Sequence, residues 1–546
     1  MSGSPFLRQL GYQAGAQLNP LQDKSAQSGN LGMWDRTVGL AMRATRGRID
    51  RPFVVQRADF GILLGDPESM VVNSLNEAKV IGHEALRKGA AGLVVSRLVS
   101  SDAVNSWLIF TSGATSDWDV SATTPVPTYS ETDVPSFTLA LKHLLCHNDG
   151  IQVRIHADSG GAKVTTITVM ILDSAGLELH RVTGSLDPTK TDDSGNSLYL
   201  PDVAERTLGD VFEWVIPDGA SIGNGHDGYG KTGGVIKWAD SGVQALFDEG
   251  ESALYAADYG RAVDALTNTD VSYGYLISAG SRSVDLIQGL IDLGYARNRQ
   301  VIIDIPGDLT PSAAATWADQ FALGGTGQDY YPIFLWAPIK AMEVLGGGMS
   351  IYGTSGNYAG QACARNAVTN SYGYAAKNRP IAGDDFPLGR VSARVIHTPS
   401  AGWDDALSFL AKARINPVLP RAGGGAVVFR DCLTAAATTT SYRKLTSVAE
   451  MSSHLAEQVV SMDNASRFLP QAEKKRYLDR QLSSMFAGAA ASGWLVTGQD
   501  IAGEEIPAYE YDLVLRPVDG VDTLHLTYRV HFDGVNRRTE ITQVLR

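Results

Sequence analysis

The stretch VIIDIPGDLTPSAAATWADQF, residues 301–321, decides the fold, because it places a buried strand directly before a capped helix. Residues 301–306 are apolar apart from Asp304, as expected of a strand covered on both faces. Thr310 and Pro311 then provide a helix N-cap and a first-turn proline. A second apolar strand follows at 333–336. This order of elements predicts a parallel or mixed sheet with helices packed against it.

The alternation of strands and helices continues on the N-terminal side of this stretch. Strand 275–277 precedes a helix that carries Val284, Ile287 and Ile291 on one face. Nearer the N-terminus, strands 38–44 and 53–56, a helix over 74–88 that stops at Gly89, and strand 92–97 form another α/β layer. We therefore predict an α/β (mixed) fold: α/β layers with helices flanking a mixed sheet, an inserted β-rich part, and extended N- and C-terminal arms.

The last 150 residues predict helices followed by two strands. One helix covers 404–413, and a long helical region runs over 448–491 with an interruption at Pro470. Strands are predicted at 509–515 and 524–532. The second strand has a strict period of two, which predicts that one face is buried. The apolar positions of that face are Leu524, Leu526, Tyr528, Val530 and Phe532.

Composition shifts along the chain suggest five segments. They are an N-terminal arm (1–35), a first part of the core (36–100), inserted β-rich outer domains (101–250), a second part of the core (251–395) and a C-terminal domain with a tail (396–546). Residues 1–35 are polar and rich in Gly, Ser, Asn and Gln, so they cannot fold alone. They form either an unstructured tail or an arm that becomes ordered on a neighbouring chain.

The overall charge argues against several kinds of partner. Lys and Arg number 46 and Asp and Glu number 59, giving a net charge of −13. A nucleic-acid binder would need a basic surface, as would a protein that binds anionic membranes. Three widely separated cysteines imply free thiols and a reducing compartment. We see no signal peptide and no apolar run of membrane-spanning length, so synthesis and assembly in a cytoplasm are expected.

Three motifs could carry chemistry, and each has a structural alternative. Residues 225–232 match the phosphate-binding pattern GxxxxGK[ST], but glycines follow where a helix should begin. Residues 219–223 match GxSxG, again without the strand and helix of a nucleophile elbow. His143, Cys146 and His147 lie close together on a predicted helix, but zinc needs a further ligand pair. We therefore predict no catalytic residue, no metal site and no cofactor, and interpret 218–240 as a glycine-rich loop.

Five segments, in order, resemble the contractile tail sheath family of phages and related injection systems. They are residues 47–55 with 60–65, residues 86–97, residues 304–306 with the following helix and 330–332, residues 355–365 with 373–377, and residues 415–417 with 423–430. The fourth is similar to the family's "P-S-G-x-x-A-G-x-x-A-R" region, and the fifth to its "I-N-P-I" region. The family's usual N-terminal "S-P-G-V-Y-V-x-E" opening is absent, which indicates a divergent member.

The resemblance implies a structural subunit of the virion tail, and not an enzyme. Such sheaths are stacks of six-subunit rings around a tail tube, and they contract to drive the tube into the host envelope for genome ejection. Neighbouring copies exchange terminal strands, so the 524–532 strand would receive a strand, and the tail would lend Ile541, Val544 and Leu545. The implied partners are other copies of the chain, the tail tube protein, and baseplate and tail terminator or neck proteins, without nucleic acid or membrane.

In this family a C-terminal helix faces the tube, and residues 471–482 are the candidate here. The candidate contact residues on it are Glu473, Lys474, Lys475, Arg476 and Arg480, and a solvated helix face would look the same. Two alternatives to a phage sheath stay open at this point. One is the sheath of a tailocin or secretion-type injection system, and the other is a nucleotide-binding α/β enzyme that uses residues 225–232.

Overall fold

The computed structural model describes residues 34–66, 69–112, 118–123, 137–148, 150–157, 166–217, 220, 231–232, 235–236, 238–250, 257–323, 327–346, 348–397, 402–421, 425–499, 503–515 and 524–537. Its α-helices are α1 (Phe60–Leu64), α2 (Glu77–Lys88), α3 (Leu200–Leu208), α4 (Tyr259–Thr267), α5 (Val284–Ala296), α6 (Pro311–Ala318), α7 (Ser355–Asn366), α8 (Trp403–Lys412), α9 (Thr446–Ser466) and α10 (Gln471–Ala491).

The strands alternate with these helices in the core and cluster between β3 and α4. In chain order they are β1 (Thr37–Met42), β2 (Phe53–Val55), β3 (Gly92–Arg97), β4 (Val104–Asn105), β5 (Trp107–Ser112), β6 (Trp118–Thr123), β7 (Leu139–His143), β8 (Ile151–Ala157), β9 (Thr166–Asp173), β10 (Glu178–Ser185), β11 (Phe212–Val215), β12 (Lys231–Thr232), β13 (Val235–Ile236), β14 (Ala239–Asp240), β15 (Phe247–Asp248), β16 (Tyr275–Ile277), β17 (Gln300–Ile305), β18 (Pro332–Trp336), β19 (Ile339–Met342), β20 (Met349–Ile351), β21 (Arg394–Val395), β22 (Ile415–Pro420), β23 (Val427–Phe429), β24 (Gly498–Gln499), β25 (Glu505–Ile506), β26 (Tyr509–Leu515) and β27 (Leu524–Val530).

The core is an eight-stranded mixed sheet in the order β2-β3-β1-β16-β17-β18-β22-β23. Its six inner strands are parallel, and the two edge strands run antiparallel to their neighbours. In β17, Ile302 faces a cluster with α2 and α7, whereas Val301 and Ile303 face a cluster with α4, α5, α6 and α8. Both faces are therefore buried, which explains the continuous apolar run that the sequence shows. The α/β (mixed) fold class is confirmed.

A second, β-rich part lies between β3 and α4. Two four-stranded sheets, β10-β9-β8-β14 and β11-β7-β5-β6, enclose a separate apolar cluster with α3. Strands β8 and β9 alternate inward and outward residues, with Val153, Ile155 and Val169 fully buried. This part therefore has its own hydrophobic core, apart from the two clusters that cover the eight-stranded sheet.

At the C-terminal end, α9 and α10 form a helical hairpin that supports β26 and β27. Leu455, Leu478, Leu482 and Phe486 share one buried cluster. The predicted interruption at Pro470 is confirmed, because α9 ends at Ser466 and α10 begins at Gln471. The two predicted strands are also confirmed, since β26 and β27 pair antiparallel over seven residues each.

Two local sequence predictions are wrong. His143 ends strand β7 and does not lie on a helix, because residues 139–143 pair with β5 and β11 through their backbones. The glycine-rich region 218–240 also contains regular structure: β12 pairs with β13, and β14 pairs with β8. Short strands of two residues carry no periodic signal, so pairing with distant partners decided them.

Candidate functional site

The β26–β27 hairpin is the longest two-stranded sheet among the described residues, because it has seven residue pairs and each of the others has two. Sheets that end on strands this long offer pairing sites to other chains unless something covers them. The extension of β27 does find one partner, since Phe532 forms an antiparallel bridge with Leu495. The hairpin is therefore fixed at one end, and within the described residues no further strand pairs along its long sides.

The predicted apolar positions of β27 hold this hairpin on α10. Leu524, Leu526, Tyr528, Val530 and Phe532 are all partly buried against the same cluster as Phe486. The Phe486 ring, itself fully buried, lies with its centroid 5.3 Å from that of Tyr509 and 5.6 Å from that of Tyr528. The period-two pattern thus places one face of the hairpin on the helix.

After β27 the chain crosses from the hairpin to the core. The His531 amide donates to the Ala508 carbonyl at 3.0 Å, and the Asp533 amide donates to the Trp494 carbonyl at 3.0 Å. Arg537 then forms a two-bond ion pair with Asp431, its Nε lying 2.6 Å from Oδ1. The predicted strand-lending residues Ile541, Val544 and Leu545 lie outside the described residues, as do residues 1–33 of the predicted N-terminal arm.

The root of the N-terminal arm is fixed by a buried network of charges. The Lys377 ammonium lies 3.1 Å from the Asp35 carboxylate and 3.3 Å from that of Glu450. Glu450 also accepts hydrogen bonds from Tyr275 and Arg365. Burial alone would raise the pKa of Glu450, but the adjacent Arg365 and Lys377 cations outweigh it and lower this pKa to about 2. The network joins the arm root, the core sheet and α9.

The sequence reasoning missed this network. Its members lie up to several hundred residues apart, and each is an ordinary charged or polar residue in its local context. A buried Asn366 side chain strengthens the junction, donating to the Asp35 carbonyl at 3.0 Å and to the Tyr275 hydroxyl at 2.7 Å. Only the packing of α7 and α9 beside β16 brings these groups together.

The candidate tube-facing helix is the N-terminal half of α10. Glu473, Lys475, Arg476 and Arg480 are exposed there. Lys474 differs from the others because its ammonium lies 2.6 Å from the Asp463 carboxylate of α9. That position therefore has a contact within the helical hairpin, and it is a poor choice for testing a partner surface.

The turn between α9 and α10 presents apolar side chains that the sequence reasoning missed. Phe468 is 96% exposed and Leu469 is 40% exposed. Two apolar residues immediately before a helix-breaking proline were the available signal. An aromatic side chain with this exposure contributes little to the stability of the fold.

Within the described residues, neither the phosphate-binding motif at 225–232 nor the GxSxG motif at 219–223 has the geometry that its chemistry requires. Lys231 and Thr232 are extended and pair with Ile236 and Val235, where a phosphate-binding loop would start a helix. Residues 225–230 lie outside the described residues, and so does all of 219–223 except Ala220. The alternative of a nucleotide-binding enzyme therefore loses its main structural requirement.

His143, Cys146 and His147 form an aromatic and polar contact in the interior. The His143 ring stacks on Phe212 at 4.9 Å and meets His147 edge-on at 4.6 Å. Burial lowers the pKa of His143 to about 3 and raises that of Cys146 to about 11. Throughout the part of the chain that the structure describes, no three His, Cys, Asp or Glu residues are arranged to hold a metal ion. No described helix is long and apolar enough to cross a membrane.

Comparison with known proteins gives a match in structure but not in sequence. No model of a known family matches the chain, and no curated protein is similar in sequence. The sheath tail protein of Listeria innocua is 10% identical and matches 93% of this chain and 95% of its own, with a TM-score of 0.51.

Two further sheath structures match with lower scores. The sheath tail protein of Desulfitobacterium hafniense, 12% identical, matches 96% of this chain and 100% of its own with a TM-score of 0.45. A contracted PVC sheath, from an extracellular contractile injection system, matches 53% of this chain and 74% of its own at 11% identity and a TM-score of 0.41. The Listeria innocua match, which spans nearly the full length of both proteins, shows that this chain has the fold of a tail sheath protein.

Proposed function

We propose that this chain is the structural subunit of a contractile tail sheath, which polymerises as stacked hexameric rings around a tail tube. The observation that carries the proposal is the β26–β27 hairpin, which has two strands within the described residues and belongs to a fold that matches a sheath tail protein over 93% of this chain. Packing on α10 stabilises this hairpin, and its edges could pair with strands from other chains.

Assembly proceeds by strand lending. Residues 1–33 of one copy and 538–546 of another add to the β26–β27 hairpin, and main-chain hydrogen bonds join the chains. Such contacts are heterologous, so repeating them builds an open helical stack and not a closed dimer. Two anchors in this chain support the scheme: Asp35 beside Lys377, and Arg537 beside Asp431. They fix the points where the lent segments leave the subunit.

Contraction is mechanical in this proposal. Subunits rotate and repack while the lent strands stay paired, and the contracted lattice buries more surface. The free-energy difference between the two packings drives the tube into the host envelope. No nucleotide is required, in keeping with the extended conformation of Lys231 and Thr232.

The remaining assignments follow from this role. Residues 36–100 and 251–395 form the core sheath domain, and residues 101–250 form outward domains. Residues 396–546 form the C-terminal sheath domain, which also contributes β22 and β23 to the core sheet. The exposed cations of α10 contact the tail tube protein, and the ends of the stack meet baseplate and terminator proteins. The location is the virion tail, after assembly in the host cytoplasm.

Electron microscopy of the purified full-length chain tests the proposal. We expect helical tubes at high protein concentration, and monomers that keep their circular dichroism when 1–33 or 538–546 are deleted. An exposed substitution away from both ends, Val368→Ser, serves as the matched control because Val368 is 73% exposed. A full-length protein that stays monomeric at high concentration, or tubes of normal length from both deletions, would falsify the proposal.

Tube contact through α10 needs its own experiment. Reversing Lys475 and Arg480 to glutamate should reduce co-sedimentation with the tail tube, because both side chains are exposed. Reversal of Lys190, an exposed cation of the β-rich part, is the control for a general charge effect. Equal loss in both variants, or no loss in either, would rule out this helix as the tube-facing surface.

A further inference from the structure

A groove runs alongside the last described residues of the chain, on the side of the core. It has a volume of about 660 Å³ and lies between α8, residues 433–439 and residues 535–537. We call it the tail groove. Its floor is apolar: Leu433 is 4% exposed and Ala436 is 1% exposed. Ala411 and Ala437 extend the apolar lining to the rim.

An ion pair holds the last described residue of the chain at this groove. Arg537 lines the groove and holds Asp431 with two hydrogen bonds, and both side chains are largely buried, at 22% and 13% exposed. A bidentate arginine–carboxylate pair fixes direction as well as distance. The last described residue of the chain is therefore held at the lining of the tail groove.

The nine residues after Arg537 suit this groove in length and chemistry. They read Arg-Thr-Glu-Ile-Thr-Gln-Val-Leu-Arg and include the three aliphatic side chains Ile541, Val544 and Leu545. Fully extended, nine residues reach roughly 30 Å, enough to run along the groove from Arg537. Lys412, Arg414 and Lys444 line the groove, so they would attract Glu540 and repel Arg538 and Arg546. The match therefore rests on the aliphatic side chains.

We propose that, before assembly, residues 538–546 of each subunit dock in the tail groove of their own chain. The connection through Arg537 gives this segment a high effective concentration at its own groove, far above that of another copy in dilute solution. If the sheath proposal also holds, the docked tail is unavailable to a neighbour, and assembly requires it to leave the groove. Docking in the tail groove would then delay the pairing of residues 538–546 with a neighbouring subunit until two subunits come into contact.

Disulfide trapping in the full-length chain tests the docking. Ala437→Cys in the groove and Leu545→Cys in the tail are combined, and the natural Cys146, Cys363 and Cys432 are buried. The control pair combines Leu545→Cys with Leu177→Cys, on an outer turn where Leu177 is 67% exposed. In dilute solution we expect the groove pair to form an intrachain disulfide at least about tenfold faster than the control pair.

Two outcomes overturn the docking. One is equal rates for the groove pair and the control pair, and the other is a disulfide mainly between chains, which would place the tail of a second copy in the groove. As a second measurement, Arg537→Gln in the groove-pair background should slow the intrachain disulfide, and Arg537→Lys should restore part of it. Circular dichroism of each variant shows whether it is folded. An unchanged rate in a folded Arg537→Gln protein also refutes the proposal.

The same proteins separate this inference from the sheath proposal. With the intrachain disulfide closed, tube formation should stop, and reduction should restore it. Trapping without tubes under any condition would reject the sheath role and keep the docking. Tubes from a protein that shows no preferential trapping would reject the docking and keep the sheath role.

Discussion

Replacing Glu450 by glutamine should destabilise the protein strongly at neutral pH and remove part of its acid sensitivity. The carboxylate is buried and lies between the Arg365 and Lys377 cations, with Lys377 Nζ 3.3 Å away. These contacts lower the pKa of Glu450 from 4.5 to about 2 despite the opposing effect of burial. This lowering of the Glu450 pKa on folding corresponds to a contribution of about 3 kcal/mol to the free energy of unfolding.

The pH window follows from the direction of the change in pKa. A carboxyl group with a lowered pKa in the folded state stabilises the protein above its ordinary pKa, and the contribution disappears as pH falls through the folded value. The wild-type protein should therefore lose about 3 kcal/mol from this group between about pH 5 and pH 2. The Glu450→Gln protein should lack this loss, so the two stabilities should converge in acid.

Urea unfolding at pH 7, 5 and 3 measures this difference, with hydrogen exchange of peptides from α9 as the local readout. The control is Glu457→Gln on the same helix, whose carboxylate pairs with Arg299 at 2.7 Å but remains 33% exposed. Because this pair is partly exposed to solvent, the control should lose less stability than Glu450→Gln. The reasoning fails if the two variants lose equal stability at pH 7, or if Glu450→Gln keeps the wild-type acid dependence.

Three further predictions test the packing of the described residues. Phe486→Ala should lower the free energy of unfolding by about 3–5 kcal/mol, because the ring is fully buried under the hairpin. The control Phe468→Ala, at a side chain that is 96% exposed, should change it by less than about 0.5 kcal/mol in thermal unfolding. Similar losses from both variants would contradict the placement of α10. Gly356→Ala should cost about 1–3 kcal/mol, because a Cβ there would lie 2.1 Å from the Ile81 carbonyl, whereas Gly61→Ala meets nothing within 4 Å; equal melting temperatures would refute the close approach of α2 and α7. The three buried cysteines should react with a thiol reagent at pH 8 only after urea is added, since burial raises their pKa values, and a rapidly reacting thiol in the native protein would show that one is accessible.

The core could be predicted from the sequence because its signals are local. The apolar run at 301–306 predicted a strand covered on both faces, and β17 has that environment. Thr310 predicted a helix start, and its hydroxyl accepts from the Ala313 amide. Pro470 predicted the break between α9 and α10, since proline cannot continue a helix interior.

Part of the candidate site was also visible in the sequence. The period of two over 524–530 placed Leu524, Leu526 and Tyr528 on one face, and the structure packs that face on α10. The same pattern could not tell whether the strand would have one neighbour or two. Strand pairing depends on contacts far away in the chain, and here β27 pairs within the described residues with β26 alone.

The pairing of charged residues between distant elements could be known only from the folded structure. The α/β alternation, the helical hairpin and the amphipathic last strand were predictable from the order of residues alone. Each depends on a short-range periodicity or on a helix stop signal. The sequence could not place Asp35 beside Lys377 and Glu450, or Arg537 beside Asp431, since these pairs are joined only when distant elements pack. A buried ion pair is a property of folded proximity, and residue types that are common everywhere in the chain give no local sign of it.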